Sequence, residues 1–130
     1  MTTSNKYSLD NLDKRFFFNQ ELIEQSFLNQ NLDISLTHVD DFEFTVEVLS
    51  YGDCFATILD KIYAIAIESF WSKRKFKICP IQTQSEVPFF MNEPIFVDVF
   101  LIHSCKTKAV LEVFVYQSET DIFNETVEII

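Results

Sequence analysis

Residues 51–71 have the sequence YGDCFATILDKIYAIAIESFW, an apolar run with no proline and no glycine after Gly52. The run is too long for a strand, so it predicts a helix over residues 53–71. Apolar side chains recur on more than one face, and such a helix is normally buried in a core. About 19 residues span roughly 28 Å. That length also fits a membrane span, but Asp53, Asp60, Lys61 and Glu68 argue against one.

The sequences on both sides of this predicted helix favour strands, because they alternate or are rich in Val, Ile, Phe and Tyr. The pair Asp40-Asp41 is a turn signal that would close a hairpin before the helix. Strands that follow one another without intervening helices indicate an antiparallel α+β fold. The predicted strands are residues 32–39, 42–49, 78–90 (interrupted by prolines), 95–103, 109–116 and 122–130.

The N-terminal part of the chain is harder to assign. Residues 12–29 carry apolar side chains near helical spacing, which predicts an amphipathic helix. The run Phe16-Phe17-Phe18 leaves an additional strand open as an alternative. Residues 1–11 are polar, and we expect them to be a mobile end. The length of 130 residues predicts one domain over residues 1–130.

The order and spacing of these elements resemble the hotdog fold, an antiparallel sheet wrapped around one long central helix. The sequence is most similar to the acyl-CoA thioesterases of the phenylacetate-degradation type. That family carries a His-Gly-Gly turn before the helix and a catalytic acid seven residues after the second glycine. Here Tyr51, Gly52 and Asp53 occupy the turn, and Asp60 occupies the acid position. The resemblance covers about residues 32–130, although Tyr51 replaces the family's histidine and Asp53 replaces its second glycine.

The resemblance implies a thioester hydrolase that acts on an acyl-CoA or an acyl-carrier protein. Asp60 would activate water as a general base, or attack the thioester as a nucleophile to form an anhydride. The backbone N–H groups of Gly52 and Asp53 would form the oxyanion hole, and Tyr51 and Thr57 would contact the substrate. No cofactor is implied beyond the coenzyme A or phosphopantetheine of the substrate itself. A homodimer or tetramer, with sites built from both chains, is also implied.

The residues themselves leave other roles open for these carboxylates. A charge in an otherwise apolar helix is costly to bury unless it is paired or functional. Asp60 shares a helical stripe with Thr57, Lys61 and Glu68, so the stripe could instead face solvent or carry an ion pair. Asp53 fits an N-cap or first-turn acid at least as well as a catalytic group.

The only dense basic run in the chain follows the predicted helix, over residues 72–77 with the sequence SKRKFK. Basic side chains at a helix C-terminus complement the helix dipole, which is one interpretation. The other is a clamp for the phosphates of coenzyme A or of a carrier-protein prosthetic group, formed by Lys73 and Arg74. Lys106 and Lys108, in a later turn, would join this clamp in a dimer.

Composition excludes several classes of protein. The net charge of −10 argues against a nucleic-acid binder and fits a protein that meets a basic partner. A single glycine excludes a phosphate-binding or dinucleotide-binding loop. The two histidines, His38 and His103, have no Cys or His at metal-ligand spacing, so no metal site is expected. Three cysteines without a CxxC pattern, and no signal-like N-terminus, predict buried reduced thiols in a cytoplasmic protein.

Two classes of function therefore stay open. The first is a thioesterase. The second is a non-catalytic hotdog domain, which would bind an acyl or other hydrophobic ligand, or act as an acidic interaction or immunity-type protein. Hydrolysis is favoured by the spacing between Gly52 and Asp60, whereas the low glycine content and the negative charge favour the second class. A dehydratase is a weaker third choice, because the His/acid pair it requires near the helix start is absent.

Overall fold

The structure, a computed structural model, describes residues 16–28, 34–49, 55–71, 75–85, 93–118 and 120–130. The predicted mobile end, residues 1–11, lies outside these ranges. Two helices and six strands occur in the described part of the chain. They are α1 (Gln20–Leu28), β1 (Ile34–Val39), β2 (Glu43–Val48), α2 (Phe55–Phe70), β3 (Ile78–Ser85), β4 (Ile95–Ser104), β5 (Ala109–Gln117) and β6 (Thr120–Ile129).

All six strands form one antiparallel sheet in the order β1-β2-β4-β5-β6-β3. The strand that follows the long helix is therefore carried to the far edge of the sheet, where β3 pairs with β6. Proline cannot donate to a ladder, and Pro80 lies at a register shift on this edge strand, as its backbone chemistry requires. The antiparallel α+β architecture with one long helix is the predicted one.

One face of the sheet packs against α2, and alternate residues of β2, β4 and β5 are accordingly buried. On β2, the side chains of Phe44, Val46 and Val48 are fully buried. On α2, Ile62, Ala66 and Ile67 are fully buried in the same core cluster. We call this the inner face, and the opposite one the outer face. The predicted helix over 53–71 is confirmed from Phe55 onward; residues 53 and 54 lie outside the described part.

The N-terminal helix is shorter than predicted. It begins at Gln20, because the side chain of Asn19 caps it by accepting a hydrogen bond from the N–H of Leu22 (3.1 Å). Residues 16–19 form neither a helix nor a strand. Instead, Phe18 inserts fully into the core, and its N–H donates to the carbonyl of Asp41 (2.8 Å). The aromatic run therefore anchors the chain in front of α1, which neither alternative predicted.

The described cysteines differ from the prediction of buried thiols. Cys79 and Cys105 are half-buried, and no disulfide joins them. Cys54 lies outside the described residues. Within those residues, no helix is both long enough and apolar enough to cross a membrane.

Glu112 lies half-buried on the outer face of β5. Burial raises the pKa of its carboxyl group, so the folded state holds the proton more tightly than the unfolded state. Stability must then fall as the pH rises from the ordinary carboxyl range through the raised pKa. We therefore expect Glu112→Gln to raise the free energy of unfolding at pH 7 and to have little effect near pH 3. Urea denaturation at both pH values checks this; a loss of stability at pH 7 would contradict it.

Candidate functional site

The long helix α2 carries a polar stripe along one side. Ala56, Thr57, Asp60, Lys61 and Glu68 are exposed in the single chain, while the remaining sides face the core. Of the alternatives left open for these residues, the solvent-facing stripe is the one found in the single chain. A period of 3.6 residues places these positions on one face, which is the arrangement expected of a solvent-facing stripe.

Asp60 lies on this stripe, five residues after the first residue of α2. Its side chain forms no hydrogen bond or ion pair with another described residue, Lys61 included. Among the described residues, Asp60 therefore has no partner that would give it a structural role as half of an ion pair. Its carboxylate is open to whatever covers the stripe, whether water, a ligand or another chain.

The turn in front of α2 lies outside the described residues, and so do Tyr51, Gly52 and Asp53. Their proposed roles in the oxyanion hole and in substrate contact are therefore unchanged as expectations. Thr57 is described and exposed, one helical turn before Asp60. Residues three or four apart on a helix are neighbours, so Thr57 and Asp60 share one surface.

The inner face carries a carboxylate that sequence reasoning missed. Glu125 of β6 points towards α2, where Oε1 accepts a hydrogen bond from the Tyr63 hydroxyl (2.5 Å). Its second oxygen, Oε2, accepts one from the Thr83 hydroxyl of β3 (3.0 Å). Glu125 thus ties α2 to both strands at one edge of the sheet. The signal was present in the sequence: the inward positions of β6 are Phe123, Glu125, Val127 and Ile129, and one of them is charged.

Tyr63 lies near both Glu125 and Asp60, and Asp60 precedes Tyr63 by three residues on α2. Its pKa is raised by burial first, then by the hydrogen bond to Glu125 and by the negative charges of Glu125 and Asp60. The phenol therefore stays protonated and acts as a donor. The hydrogen bond from Tyr63 to Glu125 ties the part of α2 that carries Asp60 to the edge of the sheet.

Removing the Tyr63 hydroxyl should be costly. A hydrogen bond to a charged group contributes about 1.5–3 kcal/mol, so we expect Tyr63→Phe to lower the free energy of unfolding by that amount. Tyr116→Phe is the matched control, because the Tyr116 hydroxyl donates to Asp98 over a longer distance (3.4 Å). Urea denaturation of both variants should show the larger loss for Tyr63→Phe. Equal losses of stability would contradict the larger contribution expected from the hydrogen bond between Tyr63 and Glu125.

The predicted phosphate clamp is only partly described. Lys73 and Arg74 lie outside the described residues. Lys106 is exposed in the turn between β4 and β5, and Lys108 forms an ion pair with Glu128 of β6 (2.9 Å). That turn lies beside the C-terminal end of α2, because the Trp71 indole donates to the carbonyl of Cys105 (3.2 Å).

This arrangement separates the basic residues from the acid. Asp60 and Trp71 are 11 positions apart in the sequence, which is roughly 16 Å along a helix axis. The turn with Lys106 therefore lies beside the C-terminal end of α2, whereas Asp60 lies on its first half. Within a single chain, Lys106 and Lys108 therefore do not lie next to Asp60.

His38 is not isolated, contrary to the sequence interpretation. Its Nε2 lies 3.3 Å from Oδ2 of Asp40, and the ligand atoms of His38, Asp40 and Glu43 all lie within 4.8 Å of one another. The other oxygen of Asp40 accepts hydrogen bonds from the N–H groups of Phe42 (2.9 Å) and Glu43 (2.8 Å). This confirms the Asp40-Asp41 turn, and we interpret the cluster as part of that turn.

Comparison with solved structures gives a consistent answer. The chain is similar to thioesterase superfamily member 2 from Mus musculus, with a TM-score of 0.64 and 15% identity, covering 84% of this chain and 93% of that one. The chain has a hotdog fold. It is also similar to a sigma28-regulated virulence protein from Campylobacter jejuni, with a TM-score of 0.62 and 15% identity over 85% and 92% of the two chains.

A further similar structure was solved with a ligand. It is a protein from Streptococcus mutans bound to acetyl-CoA, with a TM-score of 0.57 and 15% identity over 78% of this chain and 90% of that one. No protein-family model matches the sequence, and a search of curated proteins finds no match. The identities are low, so these likenesses establish the hotdog fold of this chain and leave its activity to be argued from the site.

Proposed function

We propose that this hotdog protein hydrolyses an acyl thioester of coenzyme A or of a carrier protein, with Asp60 as its general base or nucleophile. The observation that supports this most is the placement of Asp60. It is an exposed carboxylate on the first half of the central helix, without a partner among the described residues. The fold is shared with thioesterases and with a protein solved with acetyl-CoA.

In the proposed reaction, Asp60 takes a proton from a water molecule while the water oxygen attacks the thioester carbonyl carbon. The carbonyl oxygen becomes an oxyanion, which the backbone N–H groups of Gly52 and Asp53 would stabilise at the start of the helix. The intermediate then collapses: the carbon–sulfur bond breaks, the proton passes to the sulfur, and an acid and a thiol leave. The alternative route, in which Asp60 attacks directly and water cleaves the resulting anhydride, gives the same products.

The exposure of the stripe supports the proposal that a second chain is needed to complete this site. Exposed carboxylates are screened by water, whereas a site that excludes water strengthens every electrostatic interaction in it. We therefore propose that a second copy covers the stripe in a homodimer, or in a tetramer built from such dimers. Sedimentation velocity tests this part. A monomer at the protein concentration used for activity would contradict it.

The dimer would also account for the basic residues. In one chain, Lys106 lies beside the C-terminal end of α2 and Asp60 lies on its first half. Phosphates bound at Lys106 would therefore belong to a substrate that spans much of the helix or two chains. We propose that Lys73, Arg74, Lys106 and Lys108 contact the phosphates of coenzyme A or of the carrier-protein group.

Charge reversal tests the clamp separately from the chemistry. We expect Lys73→Glu combined with Arg74→Glu to raise KM several-fold for an acyl-CoA, with little change in kcat, because phosphate contacts bind substrate and transition state equally. Lys75→Glu with Lys77→Glu, in the same basic run, is the control for net charge. An unchanged KM, or equal changes of KM in both variants, would contradict the proposed phosphate clamp.

The function itself is tested by thiol release from short straight-chain, long straight-chain and aromatic acyl-CoAs. Hydrolysis of at least one is expected, and the preferred chain identifies the substrate class. Titration with coenzyme A alone tests the alternative, in which the protein binds a ligand but does not hydrolyse it. Binding without hydrolysis of any thioester would support that alternative and overturn the proposed activity.

A further inference from the structure

The outer face of the sheet carries aromatic rings that do not belong to the core. Phe96 of β4 stacks on Tyr116 of β5, with ring centroids 5.4 Å apart and an interplanar angle of 17°. Phe100 meets Phe114 edge to face, at 5.7 Å and 81°. All four rings are half-buried. Since α2 covers the inner face, these rings lie on the side of the sheet that the described residues leave open.

Carboxylates alternate with these rings across the strands. The register places Glu43, Phe100 and Glu112 in one row across β2, β4 and β5. The next row holds Thr45, Asp98 and Phe114. Neighbouring strands are about 4.8 Å apart, and residues two apart on a strand are about 6.8 Å apart. Acidic and aromatic groups therefore alternate on β4 and β5, and Glu43 extends the first row onto β2.

Few groups in the described part of the chain compensate the negative charges of these carboxylates. One oxygen of Asp98, Oδ1, accepts hydrogen bonds from the hydroxyls of Thr45 (2.7 Å) and Tyr116 (3.4 Å), which leaves Oδ2 available. Glu112 forms no ion pair with another described residue. Burial raises the pKa of Glu43, and so do the charges of Asp40 and Asp98, against an opposing effect of His38. A cation brought to this face would relieve both the desolvation and the mutual repulsion.

The charge of the face determines which occupant fits. A second copy packed on it face to face would place two sets of the acids Glu43, Asp98 and Glu112 in one interface, and like charges brought together oppose association. A basic segment would instead be attracted to these acids. Arginine and lysine lay their methylene stems and cationic heads on aromatic rings, and arginine also binds carboxylates with two parallel hydrogen bonds.

We propose that this acidic-aromatic face, made of Glu43, Asp98, Glu112 and the two ring pairs, binds an arginine- and lysine-rich segment of a partner protein. The rings would hold the side chains of the segment, and the carboxylates would neutralise their charges. The net charge of −10 would steer such a partner towards the protein. This proposal does not depend on thioester hydrolysis, because the face lies on the opposite side of the sheet from α2.

The test is titration of the full chain with three labelled extended peptides of equal length, rich in arginine, in lysine or in glutamate, followed by fluorescence anisotropy. The arginine peptide should bind best and the glutamate peptide should not bind. Asp98→Asn combined with Glu112→Gln should weaken binding at least about tenfold. Glu21→Gln combined with Glu24→Gln is the matched control, since it makes the same charge change on exposed positions of α1.

Because Asp98 holds two hydrogen bonds, circular dichroism must show that the double variant is folded. If it is not, Glu112→Gln alone should weaken binding about threefold. Phe114→Ala should reduce the preference for arginine over lysine. Equal weakening by the face variant and the α1 control would overturn the proposal, since it would leave only net charge. Self-association abolished by the face variant would also overturn it, because a second copy would then occupy the face.

Discussion

Asp60→Asn should lower kcat/KM for thioester hydrolysis by roughly 100-fold to 10,000-fold, the usual contribution of a general base. The amide has the shape of the carboxylate, but it neither accepts the proton of water nor attacks a thioester. The loss should fall on kcat with KM little changed, because the interaction is made in the transition state. Asp60 is exposed and has no described partner, so the free energy of unfolding should change by about 0.5 kcal/mol or less.

Glu68→Gln is the matched control, because Glu68 lies exposed on the same stripe of α2 and loses the same charge. Its activity should stay within about threefold of the wild type, as an exposed charge outside the chemistry contributes little. If the two variants lose activity equally, the stripe acts through its charge alone. If Asp60→Asn loses stability and activity in proportion, the role of Asp60 is structural.

Ile62→Ala should destabilise the protein by about 2–5 kcal/mol, because it leaves a cavity at a fully buried position between α2 and the sheet. Urea denaturation should show a lower midpoint with an unchanged slope. Ile81→Ala makes the same chemical change on the edge strand β3, where Ile81 is 48% exposed, and should cost much less. Similar losses for the two variants would contradict the position of the core.

The sequence predicted the parts of this fold that depend on local periodicity. The apolar run of 53–71 is too long for a strand, and its residues 55–70 form α2. The alternation of Phe44, Val46 and Val48 with polar residues puts these three in the core. The start of α1 was missed because it depends on one cap, Asn19, while the apolar residues before it continue the helical spacing.

The site was harder to predict, for a physical reason. Periodicity gave a polar stripe through Asp60 as one of two alternatives, and only packing against the sheet determined that this side faces outward. The bond between Tyr63 and Glu125 joins residues 62 positions apart. Such a contact follows from strand order and register, which no local pattern fixes. The contact between Phe18 and the core likewise depends on where the β1–β2 hairpin lies.

The most direct test of the central claim is the initial rate of thiol release from the preferred acyl-CoA, measured side by side for wild type and Asp60→Asn on folded protein. The proposal predicts steady turnover by the wild type and a rate near background for Asp60→Asn. Turnover that survives in Asp60→Asn would contradict the assignment of Asp60 as the general base or nucleophile. No turnover by a folded wild type, on any acyl chain, would contradict the thioesterase itself.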